Sequence, residues 1–323
     1  MTSAPVRSTH RTARVRTVLL VAGYGTTTCA GMGRDATVRP VPPTVEVLVV
    51  SYASAAEIEH LLASLVAHLP DAPVAIREHA GDPAACAVLA QIASAHTAPV
   101  RIEHDPTNPG FGAGCNALAA GSTAEFLAFF NPDTELLAWP WSPADPPPRG
   151  AVIGPVMADA AHQHYGRRFR VRDEIALSWL RRRPRRPTGR GYVSGAAMLI
   201  ERTEFARIGG FDPGYFMFYE DIDLCVRANA AGVATLVAPG WSMRHARHSS
   251  TATSDRRFAD ALRWSYESAV RFHGAQGSPV WAYRAYVVAD AAGRAVVHAL
   301  SGRGGRARGY LRLARIALGG SAS

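Results

Sequence analysis

Apolar residues recur along this chain with two different periods, and the switches between them mark its elements. Val45-Glu-Val-Leu-Val-Val-Ser51 is β-branched and almost wholly apolar. Such a run predicts a buried strand of the kind found in parallel sheets covered on both faces. From 55 to 69 the period becomes helical, with Ile58, Leu61, Leu62, Leu65 and Leu69 ahead of Pro70. Val74-Ala-Ile76 predicts a second short strand, 83–96 a helix, and Val100-Arg-Ile-Glu103 a third strand. Alternating strands and helices begin a doubly wound α/β sheet. Ligands in such sheets bind beyond the carboxyl ends of the strands. Ser51 and Tyr52, the segment Glu78-His-Ala-Gly-Asp82, and Asn108 onward fall there.

The stretch Asn108-Pro-Gly-Phe-Gly-Ala-Gly-Cys-Asn116 follows. Its glycines let backbone approach a ligand and let a helix start against it, although a plain tight helix entry needs the same residues. Gly110, Gly112 and Gly114 do not have the spacing of a dinucleotide fingerprint. Glu125–Phe130 predicts a core strand that runs directly into Asn131-Pro-Asp133-Thr-Glu135. An acid at the end of a central strand is rigidly held and suits a metal ligand; an Asx or N-cap turn is the plainer reading.

Trp139–Pro148 is proline-rich and predicts a loop, and Ala151–Val156 returns to the core. Tyr192–Ile200 predicts a strand whose small residues, Ser194 to Ala197, suit substrate against backbone or close helix packing. Val233–Val237 predicts an edge strand, with His245 soon after Pro239-Gly240. A histidine beyond a strand is a metal-ligand candidate, though a lone one is more often a surface or satisfied residue. From 255 the spacing is helical to the end, broken at Gly274–Pro279. These helices read either as docked on the main domain or as lying on a membrane surface.

The densest chemistry lies in Gly209–Cys225: a glycine turn, a cluster of aromatics, then Glu220, Asp221 and Asp223. Acids at a helix start complement the positive end of the helix dipole. Behind Phe211, Tyr215, Phe216, Phe218 and Tyr219 they are also desolvated, which raises a carboxylate toward the range useful to a general base.

Composition narrows the class. The 323 residues allow one large domain, or a domain with an appendage. The net charge of +9 comes entirely from arginine. It fits an anionic membrane or phosphorylated substrate; no zinc-finger or RNA-binding signature supports nucleic acid. Arg167–Arg190 is densely basic, which suits a solvated surface or a loop meeting phosphate or lipid. Cys29, Cys86, Cys115 and Cys225 form no C-x-x-C pair, which fits reduced thiols in a cytosolic protein. Residues 1–43 combine a basic start, a short apolar run and a proline-rich end. The run is too short for a convincing signal peptide, and a disordered extension is expected.

Taken in order, several segments resemble the inverting nucleotide-sugar glycosyltransferases of family 2, and among them the bacterial rhamnosyltransferase-like branch. They are Val49–Tyr52, Asn108–Asn116, Phe130–Glu135, Ser194–Ile200, Gly209–Asp212, Phe216–Cys225 and His245. The resemblance implies a GT-A fold over 44–250 with a helical extension over 251–323. It also implies a nucleotide diphosphate sugar donor (dTDP- or UDP-linked), and a glycan or polyprenyl-diphosphate-linked acceptor. The protein would work in the cytoplasm, with peripheral contact to the inner face of the membrane. Asp133 and His245 match the residues that hold a divalent metal, Mn²⁺ or Mg²⁺, and Asp221 matches the general base. Ser51, Tyr52, Glu78, Asp82, Asn108, Gly110, Gly112, Asn116 and Asn131 fall on the donor side. Ser194, Gly195, Glu220 and Asp223 fall on the acceptor side. Two positions depart from the family pattern. Asn131 stands where some members have an acid, and Glu78–Asp82 replaces an Asp-Asn-x-Ser-x-Asp segment. Those departures leave room for a catalytically silent sugar-nucleotide-binding scaffold. A dinucleotide-dependent oxidoreductase is a weaker rival, since only the α/β start and the glycine turn suggest it.

Overall fold

The computed structural model describes residues 44–158, 171, 191–245 and 254–320. The 1–43 extension, most of the arginine-rich run and Cys29 lie outside the described residues. Among these residues eight strands form one sheet: β1 Val45–Ser51, β2 Val74–Glu78, β3 Val100–His104, β4 Phe126–Phe130, β5 Thr134–Ala138, β6 Ala151–Met157, β7 Ala197–Glu201 and β8 Ala234–His245. Their order is β3-β2-β1-β4-β7-β6-β8-β5. The first four run parallel, as the alternating start of the chain predicts. β7 is antiparallel to β4 and to β6.

Strand alternation divides the core into two layers. Val47, Val49, Phe126, Ala128 and Phe130 face one side. There they meet helix α1, Ala55–His68, through Ile58, Leu61, Leu62 and Leu65. Leu48, Leu127, Phe129, Met198 and Ile200 face the other side. That side carries α3, Phe111–Ala120, and α5, Glu220–Ala230. α2, Ala84–Ala93, and α4, Arg202–Arg207, complete the flanks. Three helices close the chain: α6 Asp255–Ala275, α7 Val280–Leu300 and α8 Gly304–Ala317. Phe272, Tyr283, Val287 and Ala291 join them to the second core layer.

Three expectations need correction. The strand expected over Tyr192–Ile200 begins only at Ala197, after a turn at Gly195-Ala196. β5 is absent from the sequence reading, and β8 is neither short nor at the edge. β8 runs through Pro239-Gly240 to His245, parallel to β6 and antiparallel to β5. A register shift beside Pro155 absorbs the proline and glycine as a bulge. β5 then pairs Thr134 with His245, which makes Asp133 a neighbour of His245 across 112 residues of chain.

One long-range clamp holds the helix that carries the acids. Asn116 on α3 donates to the Phe211 carbonyl at 2.8 Å, and the Phe211 N–H donates back at 2.9 Å. Asn116→Ala leaves both backbone groups unpaired, at a cost of about 3 kcal/mol. We expect thermal denaturation to show a melting temperature lower by roughly 5–10 °C. An unchanged melting temperature rules the clamp out as a stabilising element.

Candidate active site

A cavity of about 1620 Å³ opens at the carboxyl ends of β1 and β4 and the start of α5. Tyr52, half exposed, and Ser51 stand on its β1 side, with Asn108, Gly110 and Asn131 beside them. Asp133 and His245 line it further along, and Ser194, Gly195, Glu220 and Asp221 line the α5 side. The structure thus brings together eleven of the residues singled out from sequence.

Five others do not line the cavity. Glu78 is buried, and its carboxylate accepts from Ser51 Oγ at 2.6 Å, Ala53 N–H at 2.9 Å and Ala80 N–H at 2.7 Å. It fixes the loops after β1 and β2 and has no free edge for a nucleotide. Asp82 accepts from the Ala84 N–H at 2.9 Å at the start of α2. Gly112 packs so closely that a Cβ there would lie 2.9 Å from Phe211 Cβ, and Asn116 makes the clamp described above. Asp223 is buried and accepts from Arg227 Nε at 2.7 Å, one turn along α5. It braces the helix and does not line the cavity.

The entry to α5 is built under strain. Phe218 and Tyr219 have φ of 71° and 67°, a left-handed conformation that costs non-glycine residues on the order of 1–3 kcal/mol each. Packing offsets it: Tyr219 is nearly buried and its ring lies 5.5 Å from that of Phe272. Ser268 Oγ donates to the Met217 carbonyl at 2.9 Å. Gly110, with φ of 102°, passes so close to this segment that a Cβ would come 2.3 Å from the Phe216 carbonyl oxygen. The Phe111 N–H donates to that same carbonyl at 3.0 Å. Of the aromatics, Phe216, Phe218 and Tyr219 reach the cavity, while Phe211 and Tyr215 are core.

Glu220 and Asp221 are adjacent carboxyls with different surroundings. Burial raises both, and for Glu220 the charge of Asp221 adds to the effect. Asp221 accepts from the Gly195 N–H at 2.8 Å through Oδ2 and from the Ile222 N–H at 2.8 Å through Oδ1. Those donors favour its charged form. Glu220 is buried and its Oε2 has no partner among the described residues. Burial and the charge of Asp221 favour the protonated form of Glu220, while the two N–H donors favour Asp221 as the anion facing the cavity.

A carboxyl raised on folding stabilises the protein at acid pH, and that contribution is lost as pH rises through its folded value. Glu220→Gln is thus expected to melt above wild type by a few degrees at alkaline pH. The advantage should shrink toward about pH 4, where an ordinary carboxyl is already protonated. A melting difference that stays constant across this range excludes the assignment of the proton to Glu220.

Asp133 follows Asn131-Pro132 at the end of β4, and His245 closes β8. His245 Nε2 lies 3.0 Å from Asp133 Oδ1. Both side chains are partly exposed to the cavity. The spacing is about that of neighbouring ligands on an octahedral ion bound at ~2.1 Å. Among the described residues there is no group of three His, Cys, Asp or Glu side chains that could hold a metal. The donor set fits an ion that takes two protein ligands and completes its shell with substrate oxygens and water.

Sequence reasoning missed the wall supplied by the last three helices. Arg256, Arg257, Trp264, Tyr283 and Tyr286 all line the same cavity. Their helical spacing was legible; which face they turned to Asp221 was not. His79 was also passed over: it lines the cavity, is almost fully buried, and its Nε2 lacks a partner among the described residues.

Sheet, cavity and closing helices make this an α/β domain of the GT-A kind with a C-terminal helical extension. The chain belongs to the family described as glycosyltransferase-like family 2, whose model matches residues 42–267. It is 40% identical over 81 residues to rhamnosyltransferase WbbL of Escherichia coli K12, a match covering 25% of this chain and 30% of that one. It is 39% identical over 61 residues to the N-acetylglucosaminyl-diphospho-decaprenol L-rhamnosyltransferase of Mycobacterium tuberculosis H37Rv, covering 19% of this chain and 20% of that one. The matches thus span less than a third of each relative. The crystal structure of GalNAc-T7 with UDP, GalNAc and Mn²⁺ superposes with a TM-score of 0.52. It covers 75% of this chain and 52% of that one at 12% identity, a likeness of fold.

Proposed function

We propose that this protein transfers a sugar, rhamnose being the first candidate, from a nucleotide diphosphate donor to a polyprenyl-diphosphate-linked or glycan acceptor with inversion. The carrying observation is that Asp221 and the Asp133–His245 pair line one cavity. Asp221 takes the proton of the acceptor hydroxyl. The hydroxyl oxygen attacks the anomeric carbon opposite the diphosphate, and the nucleoside diphosphate departs. The Gly195 N–H fixes the orientation of the Asp221 carboxylate. Asp133 and His245 would hold the divalent ion, which supplies charge neutralisation to the departing diphosphate. Tyr52, Asn108 and Asn131 bound the donor side; Phe216 and Phe218 form the wall toward the acceptor. Residues 44–250 form the catalytic unit in this reading, 251–323 a helical extension and 1–43 an appendage.

The names of the relatives support rhamnose and, for one, a diphospho-decaprenol-linked acceptor, and the UDP and Mn²⁺ of the GalNAc-T7 structure support the nucleotide and the metal. The test is a thermal-shift screen of UDP, dTDP and their sugars with Mn²⁺ or Mg²⁺. We expect stabilisation by a nucleoside diphosphate that depends on metal. Stabilisation indifferent to metal refutes the role of Asp133 and His245.

We place the protein in the cytoplasm against the inner face of the membrane. No helix among the described residues is long and apolar enough to cross one. The outward side of α7 carries Trp281, Val296, Val297 and Leu300, all well exposed. Leu311 on α8 and Leu318 just past its end are exposed, with Arg308, Arg312 and Arg315 nearby in sequence. Over 280–320 there are seven arginines and one acid, Asp290. An apolar face flanked by arginine matches an anionic lipid surface. Sedimentation with phosphatidylglycerol vesicles should capture the protein at low salt and release it at high salt. Failure to bind at low salt excludes the contact.

A further inference from the structure

The cavity runs from Asp221 under the closing helices, and its volume of about 1620 Å³ exceeds the ~300–1,000 Å³ of most ligand pockets. We infer that this extension is a subsite for the diphosphate of a prenyl-linked acceptor, read by Arg256 and Arg257. The inference rests on the glycosyltransferase reading only for the position of the acceptor sugar.

Three observations carry it. Trp264 on α6 packs its ring 4.8 Å from that of Phe216, beside the strained entry to Asp221, so this part of α6 marks the sugar end. Arg257 lies seven residues earlier on the same helix, about 10 Å along its axis. Arg256 and Arg257 both line the cavity there, in the first turn of a 21-residue helix. Arg256 has no hydrogen bond or ion pair with any described residue. The acids nearby face other cations: Asp255 lies 3.7 Å from Arg306 and Asp260 lies 3.9 Å from Arg263. Asp290 and Arg294, also on the wall, neutralise each other at 2.7 Å. Arg256 is therefore an uncompensated cation of the extension, with Arg257 next to it on the same wall.

The third observation is what adjoins that turn. Tyr310 of α8 packs on Phe258 and on His298, each with ring centroids 5.4 Å apart. The start of α6 thus sits beside the end of α7 that exposes Val296, Val297 and Leu300. A ligand with its sugar near Trp264 and its diphosphate at Arg256 and Arg257 has an apolar surface next to it for the prenyl chain. Arginine is suited to the middle part, because its planar fork engages phosphate oxygens in pairs.

The test uses the full-length protein in EDTA, so that a divalent ion cannot draw diphosphate to Asp133. Farnesyl diphosphate, farnesol and inorganic pyrophosphate are titrated by calorimetry. Farnesyl diphosphate is expected to bind at least tenfold more tightly than either of the others. Arg256→Gln with Arg257→Gln should weaken it at least tenfold. Circular dichroism and melting confirm that the double variant is folded; the single Arg256→Gln variant, expected to lose at least threefold, serves if it is not. Equal affinity for farnesol or for pyrophosphate overturns the inference. So does undiminished binding in the folded double variant. The functional reading fails separately, on a wild-type protein that binds no nucleoside diphosphate in Mn²⁺.

Discussion

Asp221→Asn is expected to lower sugar transfer by about a thousandfold or more while leaving nucleoside diphosphate affinity within about twofold. The reason lies in what the substitution keeps. Asn has the same shape, and its carbonyl oxygen can still accept from the Gly195 N–H, which lies 2.8 Å from the present carboxylate. It cannot take a proton from an acceptor hydroxyl. Glu220 lies one residue away and is not expected to substitute for it, since burial and its neighbour's charge raise its pKa and favour its protonated form. Transfer kinetics and nucleotide titration on the same sample decide the matter. If rate and nucleotide affinity fall together, Asp221 is a structural part of the cavity and the base lies elsewhere.

The second large effect concerns the proposed metal ligands, Asp133 and His245. With EDTA, or in Asp133→Asn, the affinity for a nucleoside diphosphate is expected to drop by at least about 100-fold, or ~2.7 kcal/mol. Manganese should restore the treated wild type and not the variant. His245→Ala should fall between them, because Asp133 retains one ligand and the vacated position can take water. Binding is the better readout here than turnover, since it separates the metal's hold on the diphosphate from the chemistry at Asp221. An Asp133→Asn protein that binds nucleoside diphosphate as tightly as wild type, with the same response to Mn²⁺, contradicts the assignment.

Much of this arrangement was legible in the sequence, because it is local. The parallel start of the sheet, the strand ending in Asp133 and the helix starting at Glu220 follow from periodicity and turn chemistry. The misses are long-range. β5 is a five-residue strand that follows β4 after three residues, and it reads as the tail of a turn. Its alternation of buried Thr134 and Leu136 was the available signal. The Pro239-Gly240 pair read as a strand end, although the sheet accommodates it in a bulge. Glu78 carried a charge suited to a ligand, yet its partners are the ends of two strands brought together by the parallel register. Asn116 likewise belongs to Phe211, 95 residues away. The tail helices showed their amphipathic spacing without showing that one face closes the cavity over Asp221.

The central claim is that one cavity unites a proton acceptor at Asp221 with a diphosphate-binding metal pair at Asp133 and His245. Its most direct test is release of nucleoside diphosphate from a panel of dTDP- and UDP-sugars, with Mn²⁺ and extracted bacterial polyprenyl-linked lipids as acceptors. We expect release from at least one donor, abolished by EDTA and by Asp221→Asn. A wild-type protein that binds nucleotide but releases none with any donor, or an Asp221→Asn protein that releases it at the wild-type rate, contradicts it.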